Sequence, residues 1–101
     1  MAYPKFIITA DGNFRLGMVV LHKHLLEPGE TCLGGGYYKF DYENGTLELS
    51  GESSDYGRAQ WDSIDVLRVP MQYRPLQLVY FPGSHNGYAV NLADILNIEY
   101  V

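Results

Sequence analysis

Eleven glycines and five prolines are spread along the 101 residues of this chain and divide it into short segments. Glycine and proline are the strongest local punctuators, and short segments between them are typical of β-strands joined by tight turns. The chain carries one cysteine, so an intramolecular disulfide is excluded. A chain of this length forms one domain, residues 1–101, and buries enough surface to support a single hydrophobic core.

The clearest element is a β-hairpin that turns at Asn44-Gly45. An Asn-Gly pair favours positive φ at both central positions of a two-residue loop. Such a loop places Phe40 opposite Leu49 and Asp41 opposite Glu48. The alternation predicts an apolar face of Phe40, Tyr42, Leu47 and Leu49 and a polar face of Lys39, Asp41, Glu48 and Ser50.

Other segments also follow the alternation of β-strands. A second hairpin is predicted to turn at Asp11-Gly12 between strands over residues 6–10 and 14–20, with Phe14, Leu16, Met18 and Val20 on one face. Residues 76–81 and 96–101 are predicted as further strands because apolar side chains recur there at every second position.

Two segments have some helical character. In residues 60–69, the spacing of Trp61, Ile64 and Leu67 suits a helical turn, whereas Ile64 and Val66 equally suit a strand. Any helix there ends before Pro70. Residues 91–95 are predicted to form one short helical turn with Asn91 as its cap.

Together these elements predict a mainly β domain. We expect antiparallel hairpins that form a bent or rolled sheet or a small barrel, with at most one or two short helical turns. The alternative is an α+β arrangement. The aromatic content supports a packed globular domain rather than a disordered chain, since 14 of the 101 residues are Tyr, Phe or Trp.

Charge and hydropathy exclude some classes of function. Seven basic and twelve acidic residues give a net charge of −5, which argues against a nucleic-acid binder and against attachment to an anionic membrane. No segment approaches the roughly 20 apolar residues that a membrane helix requires. The first residues lack the pattern of a signal peptide, so we expect a cytoplasmic protein.

Several stretches resemble a family of small uncharacterised bacterial proteins of about this length. The similar stretches are KFIITADGNFRLGMV from Lys5, GGGYYKFDY from Gly34, LSGES from Leu49, LRVP from Leu67, LQLVY from Leu76 and the ending NIEYV. The resemblance covers most of the chain and implies a bacterial, cytoplasmic protein. It provides no functional residue, because none of these stretches is a catalytic motif.

His22 and His24 are the first candidates for metal chemistry. At i and i+2 on a strand, they lie on one face about 6–7 Å apart, and Cys32 or His85 would complete a tetrahedral site. Cys32 beside a histidine would also be a candidate nucleophile. The spacing matches no standard zinc motif, and no basic cluster or helix start follows Cys32. We therefore expect a polar surface segment and a buried thiol, and we assign no catalytic, cofactor or metal-binding residue.

Two further patterns have structural explanations. Gly34-Gly35-Gly36 lacks the Lys-Ser/Thr and the helix that follow a phosphate loop, so a sharp bend or a close backbone approach is expected. Asp62 and Asp65 would share a helical face, and Asp41 would face Glu48, but nothing in the sequence predicts the cleft that paired-carboxylate catalysis needs.

The nine tyrosines are the most unusual compositional feature. Tyrosine combines a large apolar ring with a polar end, which suits a face that binds a protein, a peptide or a sugar. Strand propensity and half-buried packing explain the same excess. A strand at residues 96–101 would also offer an edge to a second copy or to a partner strand.

The sequence therefore predicts a non-catalytic binding or interaction module rather than an enzyme. Its partner would be another protein, a small ligand or a second copy of the chain, bound through a tyrosine-rich face or an edge strand. The alternative is a small metal-binding protein or enzyme that uses His22, His24, Cys32 and His85.

Overall fold

A computed structural model of the chain describes residues 1–51, 57–83 and 88–101. The described residues form a mainly β domain whose helical content is limited to short 3-10 turns, at His22–Leu25, Trp61–Ser63, Met71–Tyr73 and Leu92–Asp94. The strands are β1 (Tyr3–Thr9), β2 (Phe14–Val19), β3 (Cys32–Asp41), β4 (Thr46–Ser50), β5 (Val66–Val69), β6 (Gln77–Phe81), β7 (Val90–Asn91) and β8 (Asn97–Tyr100). This confirms the predicted fold class. No helix in these residues is long and apolar enough to cross a membrane.

The strands form two sheets. The larger has the order β2-β1-β3-β4-β6-β7, and the smaller pairs β5 with β8. Hairpin neighbours are antiparallel as predicted, but β4 pairs with β6 and β5 pairs with β8 in parallel. Parallel pairs require crossover connections, which local alternation does not reveal. Among the described residues the outer strands β2 and β7 do not pair with each other, so the sheet is open rather than a closed barrel.

The hairpin of β3 and β4 forms, but with a different register from the predicted one. The loop has four residues, 42–45, so Phe40 lies opposite Leu47 and Asp41 opposite Thr46 rather than Glu48. Only Gly45 of the Asn-Gly pair has positive φ, at +66°. Asp41 accepts hydrogen bonds from the backbone and side-chain nitrogens of Asn44, at 3.2 and 2.7 Å. The shift is two residues, so each side chain keeps its predicted face.

The hairpin of β1 and β2 is confirmed at Asp11-Gly12. Ile8 pairs with Phe14, and the Thr9 N–H donates to the Asn13 carbonyl at 2.9 Å. Phe14 and Leu16 contribute to the core, whereas Met18 and Val20 on the same predicted face are exposed. The predicted face of this strand therefore extends past the end of the core.

Residues 60–69, which suited either a helical turn or a strand, contain a turn followed by a strand. Trp61–Ser63 forms a 3-10 turn and Val66–Val69 forms β5. The turn at Leu92–Asp94 is capped as predicted, since the Asn91 side chain accepts from the Ala93 N–H at 3.1 Å. The strands predicted at 76–81 and 96–101 are confirmed as β6 and β8.

One face of the large sheet packs against the small sheet and buries the main hydrophobic core. Its fully buried members include Phe6, Ile8, Phe14, Leu47, Leu49, Leu67, Val69 and Leu92. Burial of large apolar side chains is the dominant stabilising contribution to a domain of this kind. Ile7 is buried on the opposite face, where the turn His22–Leu25 contacts the sheet.

Candidate binding surface

The histidine candidates lie in the turn His22–Leu25 rather than on a strand. His22 is fully buried and donates from Nε2 to the Gly36 carbonyl at 2.9 Å, with its ring edge-on to Tyr37. His24 is exposed and its Nδ1 accepts from the Leu21 N–H at 3.3 Å. These residues form a 3-10 turn and not a strand. The i, i+2 spacing therefore does not place both imidazoles on one face, and that prediction was wrong.

Cys32 is half-buried at the start of β3. Its Sγ contacts the backbone carbonyl and N–H of Gly34, at 3.1 and 3.3 Å. Burial raises the pKa of the Cys32 thiol, which disfavours the thiolate that nucleophilic chemistry needs. His85 lies outside the described residues. Within those residues, no group of three or more His, Cys, Asp and Glu side chains is placed to hold a metal ion.

The glycine run lies inside β3, where the backbones of neighbouring elements approach closely. A Cβ on Gly36 would lie 1.8 Å from the Ser50 carbonyl oxygen, and one on Gly35 would lie 2.5 Å from the Phe6 carbonyl oxygen. Gly34 has φ of +141° and faces Ala59. These glycines therefore allow close packing of β1, β3 and β4, as expected for residues without a Cβ.

The carboxylate candidates do not form a catalytic pair. Asp62 lies in the turn Trp61–Ser63 and Asp65 precedes β5, and both are exposed. In the register of β3 and β4, Asp41 lies opposite Thr46 and Glu48 lies opposite Lys39, so the two carboxylates are diagonal neighbours rather than directly opposite. Asp62 and Asp65 are therefore solvated side chains, whereas Asp41 and Glu48 are partly buried on the hairpin.

The tyrosines occupy several environments. Tyr80 is buried in the core, Tyr37 contacts His22 on the opposite face of the sheet, and Tyr88 is exposed. Tyr56 lies outside the described residues. Among the described residues, one group of aromatic side chains combines ring contacts with an open cavity, at the end of β3.

We call this surface the aromatic groove. It is an open cavity of about 400 Å³, and it is lined by Phe40, Tyr42, Gln72, Tyr73, Pro75 and Leu76. Two segments build it. The end of β3 and its four-residue loop supply Phe40 and Tyr42, while the 3-10 turn Met71–Tyr73 and the residues before β6 supply the other wall.

Phe40 is the centre of the ring contacts. Its ring stacks on Tyr42 with centroids 5.3 Å apart and planes 5° apart, and it lies 5.8 Å from the Tyr73 ring at a tilt of 35°. Tyr38 lies edge-on to Phe40 at 5.5 Å. Offset-stacked and edge-to-face pairs are the favoured geometries of aromatic side chains, so these rings hold one another in fixed positions.

Exposure distinguishes this cluster from core packing. Tyr42 is 73% exposed although its ring is stacked on Phe40, so its outer side is open to a ligand. Tyr38 sits deeper, and burial together with Tyr73 and Tyr42 raises the pKa of its hydroxyl. The groove therefore has an apolar floor and an exposed aromatic rim, the arrangement that small-ligand and peptide sites use.

The sequence predicted part of this surface. Phe40 and Tyr42 share the predicted apolar face of the hairpin, and Tyr38 continues it at the same two-residue spacing. The opposite wall was missed, because Tyr73, Pro75 and Leu76 reach it through the connection from β5 to β6. Pro70 and Pro75 bound that connection in the sequence, but they do not show which strand it packs against. No family model, curated protein or solved structure matches this chain.

Proposed function

We propose that this protein is a non-catalytic binding module that holds an apolar, proline-containing segment of a partner protein in the aromatic groove. The single observation that carries the proposal is the Tyr42 ring, which is stacked on Phe40 yet 73% exposed beside an open cavity. Large exposed rings above an apolar floor favour ligand binding, because covering them removes apolar surface from water.

Proline-rich segments match the shape and polarity of such a groove. They adopt an extended polyproline helix without internal hydrogen bonds, and they dock between aromatic rings. Their carbonyls are acceptors, and proline residues offer no N–H donor. The phenol groups of Tyr42 and Tyr73 and the amide of Gln72 supply donors among the groove-lining residues.

Charge favours a partner segment with a basic residue. The chain has a net charge of −5, and the exposed Glu43 follows Tyr42 directly in the loop. A cation near this loop would be attracted by Glu43 and by the negative net charge of the protein, while an acidic segment would be repelled. We therefore expect a proline-rich segment flanked by arginine or lysine.

We also propose a cytoplasmic location. The one cysteine, Cys32, is a free thiol in the structure. Free thiols of this kind are usual in a reducing compartment, whereas small secreted domains depend on several disulfides.

The test is a fluorescence-anisotropy titration with a labelled proline-rich peptide of about eight residues that ends in one arginine. A peptide with glycine and serine in place of proline is the ligand control. We expect saturable binding of the proline peptide only, and we expect Tyr42→Ser to weaken it by about tenfold because it removes the exposed ring.

Tyr3→Ser is the matched protein control. Tyr3 is also exposed, but it lies at the start of β1 and does not line the groove. The control should bind like the unmodified protein. Equal affinities for Tyr42→Ser and the unmodified protein, or no saturable binding of the proline peptide, would overturn the proposal.

A further inference from the structure

The backbone of β8 presents hydrogen-bonding groups away from its partner strand β5. Val101, directly after β8, donates from its N–H to the Val69 carbonyl at 2.9 Å and accepts from the Met71 N–H at 2.7 Å. Both groups of Val101 therefore point towards β5. Because successive residues of a strand alternate in direction, Ile98 and Tyr100 point their N–H and C=O groups to the other side.

That outer side of β8 is an uncovered edge within residues 1–51, 57–83 and 88–101. The small sheet contains β5 and β8 alone, so β8 has one strand neighbour in this part of the chain. Exposed apolar residues flank the strand, with Ile95 56% and Val101 60% exposed. Unpaired strand edges of this kind are templates for pairing with another chain.

We propose that the partner of this edge is β8 of a second copy of the chain, paired antiparallel about a two-fold axis at Ile98. Ile98 then lies opposite Ile98 of the second copy, and the two residues exchange their outward N–H and C=O groups. Asn97 lies opposite Glu99 of the second copy, and the symmetry repeats this pair. The dimer contains a continuous four-stranded sheet, β5-β8-β8-β5.

Complementarity of the side chains selects this register. An amide opposite a carboxylate is a favourable cross-strand pair. The register also brings the exposed Ile95 of one copy towards the exposed Val101 of the other, so two apolar side chains are covered together. A two-fold axis requires that each contact be made twice by identical surfaces, and this strand satisfies that condition.

The neighbouring registers are less favourable. Moving the axis to Glu99 places Glu99 opposite Glu99 of the second copy, and like charges directly opposite are destabilising. An axis between Ile98 and Glu99 would pair Ile98 with Glu99 and Tyr100 with Asn97, so Asn97 and Glu99 would have to bond outward. Their backbone groups face β5, as the direction of Val101 shows, so they are not free to pair outward.

The test is sedimentation velocity of the full chain between about 10 µM and 1 mM, because a short strand interface is small and forms a weak dimer. We expect the mass to rise from 11.4 kDa towards twice that value as the concentration increases. Two variants test the register. Asn97→Lys places an ammonium opposite Glu99 and should tighten the dimer, while Asn97→Glu should weaken it, each by roughly three- to tenfold.

Gln77→Lys and Gln77→Glu are the matched controls. Gln77 is exposed on β6, so these variants make the same charge changes away from β8. They should alter the dimerisation constant by less than about twofold. A protein that stays monomeric at the highest concentration overturns the proposal. So does a dimer that responds equally to the substitutions at positions 97 and 77.

Discussion

His22 donates a hydrogen bond from its Nε2 atom to the carbonyl oxygen of Gly36, 2.9 Å away, with the imidazole fully buried. Because a carbonyl oxygen only accepts, Nε2 carries the proton of this hydrogen bond. The contact ties the turn His22–Leu25 to the middle of β3. A side chain that resembles a metal ligand in sequence thus has a packing role in the fold.

His22→Ala should destabilise the protein by about 2–4 kcal/mol, since it leaves a cavity and an unsatisfied buried acceptor. His24→Ala is the matched control, because His24 lies in the same turn but is exposed. Its cost should stay below about 1 kcal/mol. Urea denaturation measures both, and equal costs for the two variants would contradict the packing role of His22.

Gly36→Ala should be among the most damaging single substitutions, with a cost above about 4 kcal/mol or a failure to fold. A Cβ there would lie 1.8 Å from the Ser50 carbonyl oxygen, which belongs to the backbone of the paired strand β4, and 2.9 Å from the Phe6 ring. Gly45→Ala is the comparison. Gly45 has open space around it, so only its φ of +66° opposes the substitution, at a cost of about 1–2 kcal/mol.

Thermal unfolding measures which of the two substitutions, Gly36→Ala or Gly45→Ala, destabilises the protein more. Gly45→Val should lower the thermal midpoint for the same reason as Gly45→Ala, since any Cβ disfavours positive φ. A Gly36→Ala protein as stable as Gly45→Ala would show that β3 and β4 do not approach as closely as described.

The ion pair of Arg15 and Glu30 should make stability depend on acid pH. Arg15 donates from both terminal nitrogens to the Glu30 carboxylate, with 2.8 Å between Nη2 and Oε2, and Glu30 also accepts from the Glu27 N–H at 2.7 Å. The hydrogen bond from Arg15 and then the one from the Glu27 backbone lower the pKa of Glu30 from 4.5 to about 2.

A lowered pKa in the folded state means that the ionised carboxylate stabilises the fold above pH 4.5 and that this contribution is lost as the pH falls towards 2. Glu30→Gln should therefore have a lower thermal midpoint than the unmodified protein at pH 6, with the difference shrinking as the pH approaches 2. A difference that is constant from pH 6 to pH 2 would contradict the assignment. The pair is partly exposed, so added salt should also reduce the difference.

Cys32 should react slowly with thiol reagents in the folded protein. Burial raises the pKa of its half-buried thiol, and Sγ is held by hydrogen bonds with the Gly34 backbone. At pH 7.5 we expect reaction with a disulfide reagent at least about tenfold slower than in urea, because only the accessible thiolate reacts. Reaction as fast in the native protein as in urea would instead indicate an activated cysteine.

The hairpins were predictable from the sequence because they depend on turn residues and on the alternation of side chains close together in the chain. Alternation at Phe40, Leu47 and Leu49 identified the buried face, and a register error of two residues left that face unchanged. The parallel pairing of β4 with β6 was not predictable in the same way. It depends on the connection through β5, and no alternation within either strand records its partner.

The same distinction applies to the aromatic groove. Phe40 and Tyr42 were recognisable as neighbours on one strand face, whereas Tyr73 joins them from more than thirty positions along the chain. The prediction for His22 was wrong, because a polar segment with two histidines predicted a surface location. The tertiary packing of its turn against β3 buries it.

The most direct test of the proposed function is an amide ¹H–¹⁵N spectrum of the protein titrated with the proline-rich, arginine-containing peptide. If the groove is the binding site, the largest shift changes will cluster in residues 40–45 and 71–76, and they will be lost in Tyr42→Ser but not in Tyr3→Ser. An unchanged spectrum at saturating peptide, or changes confined to residues outside the groove, would contradict the account.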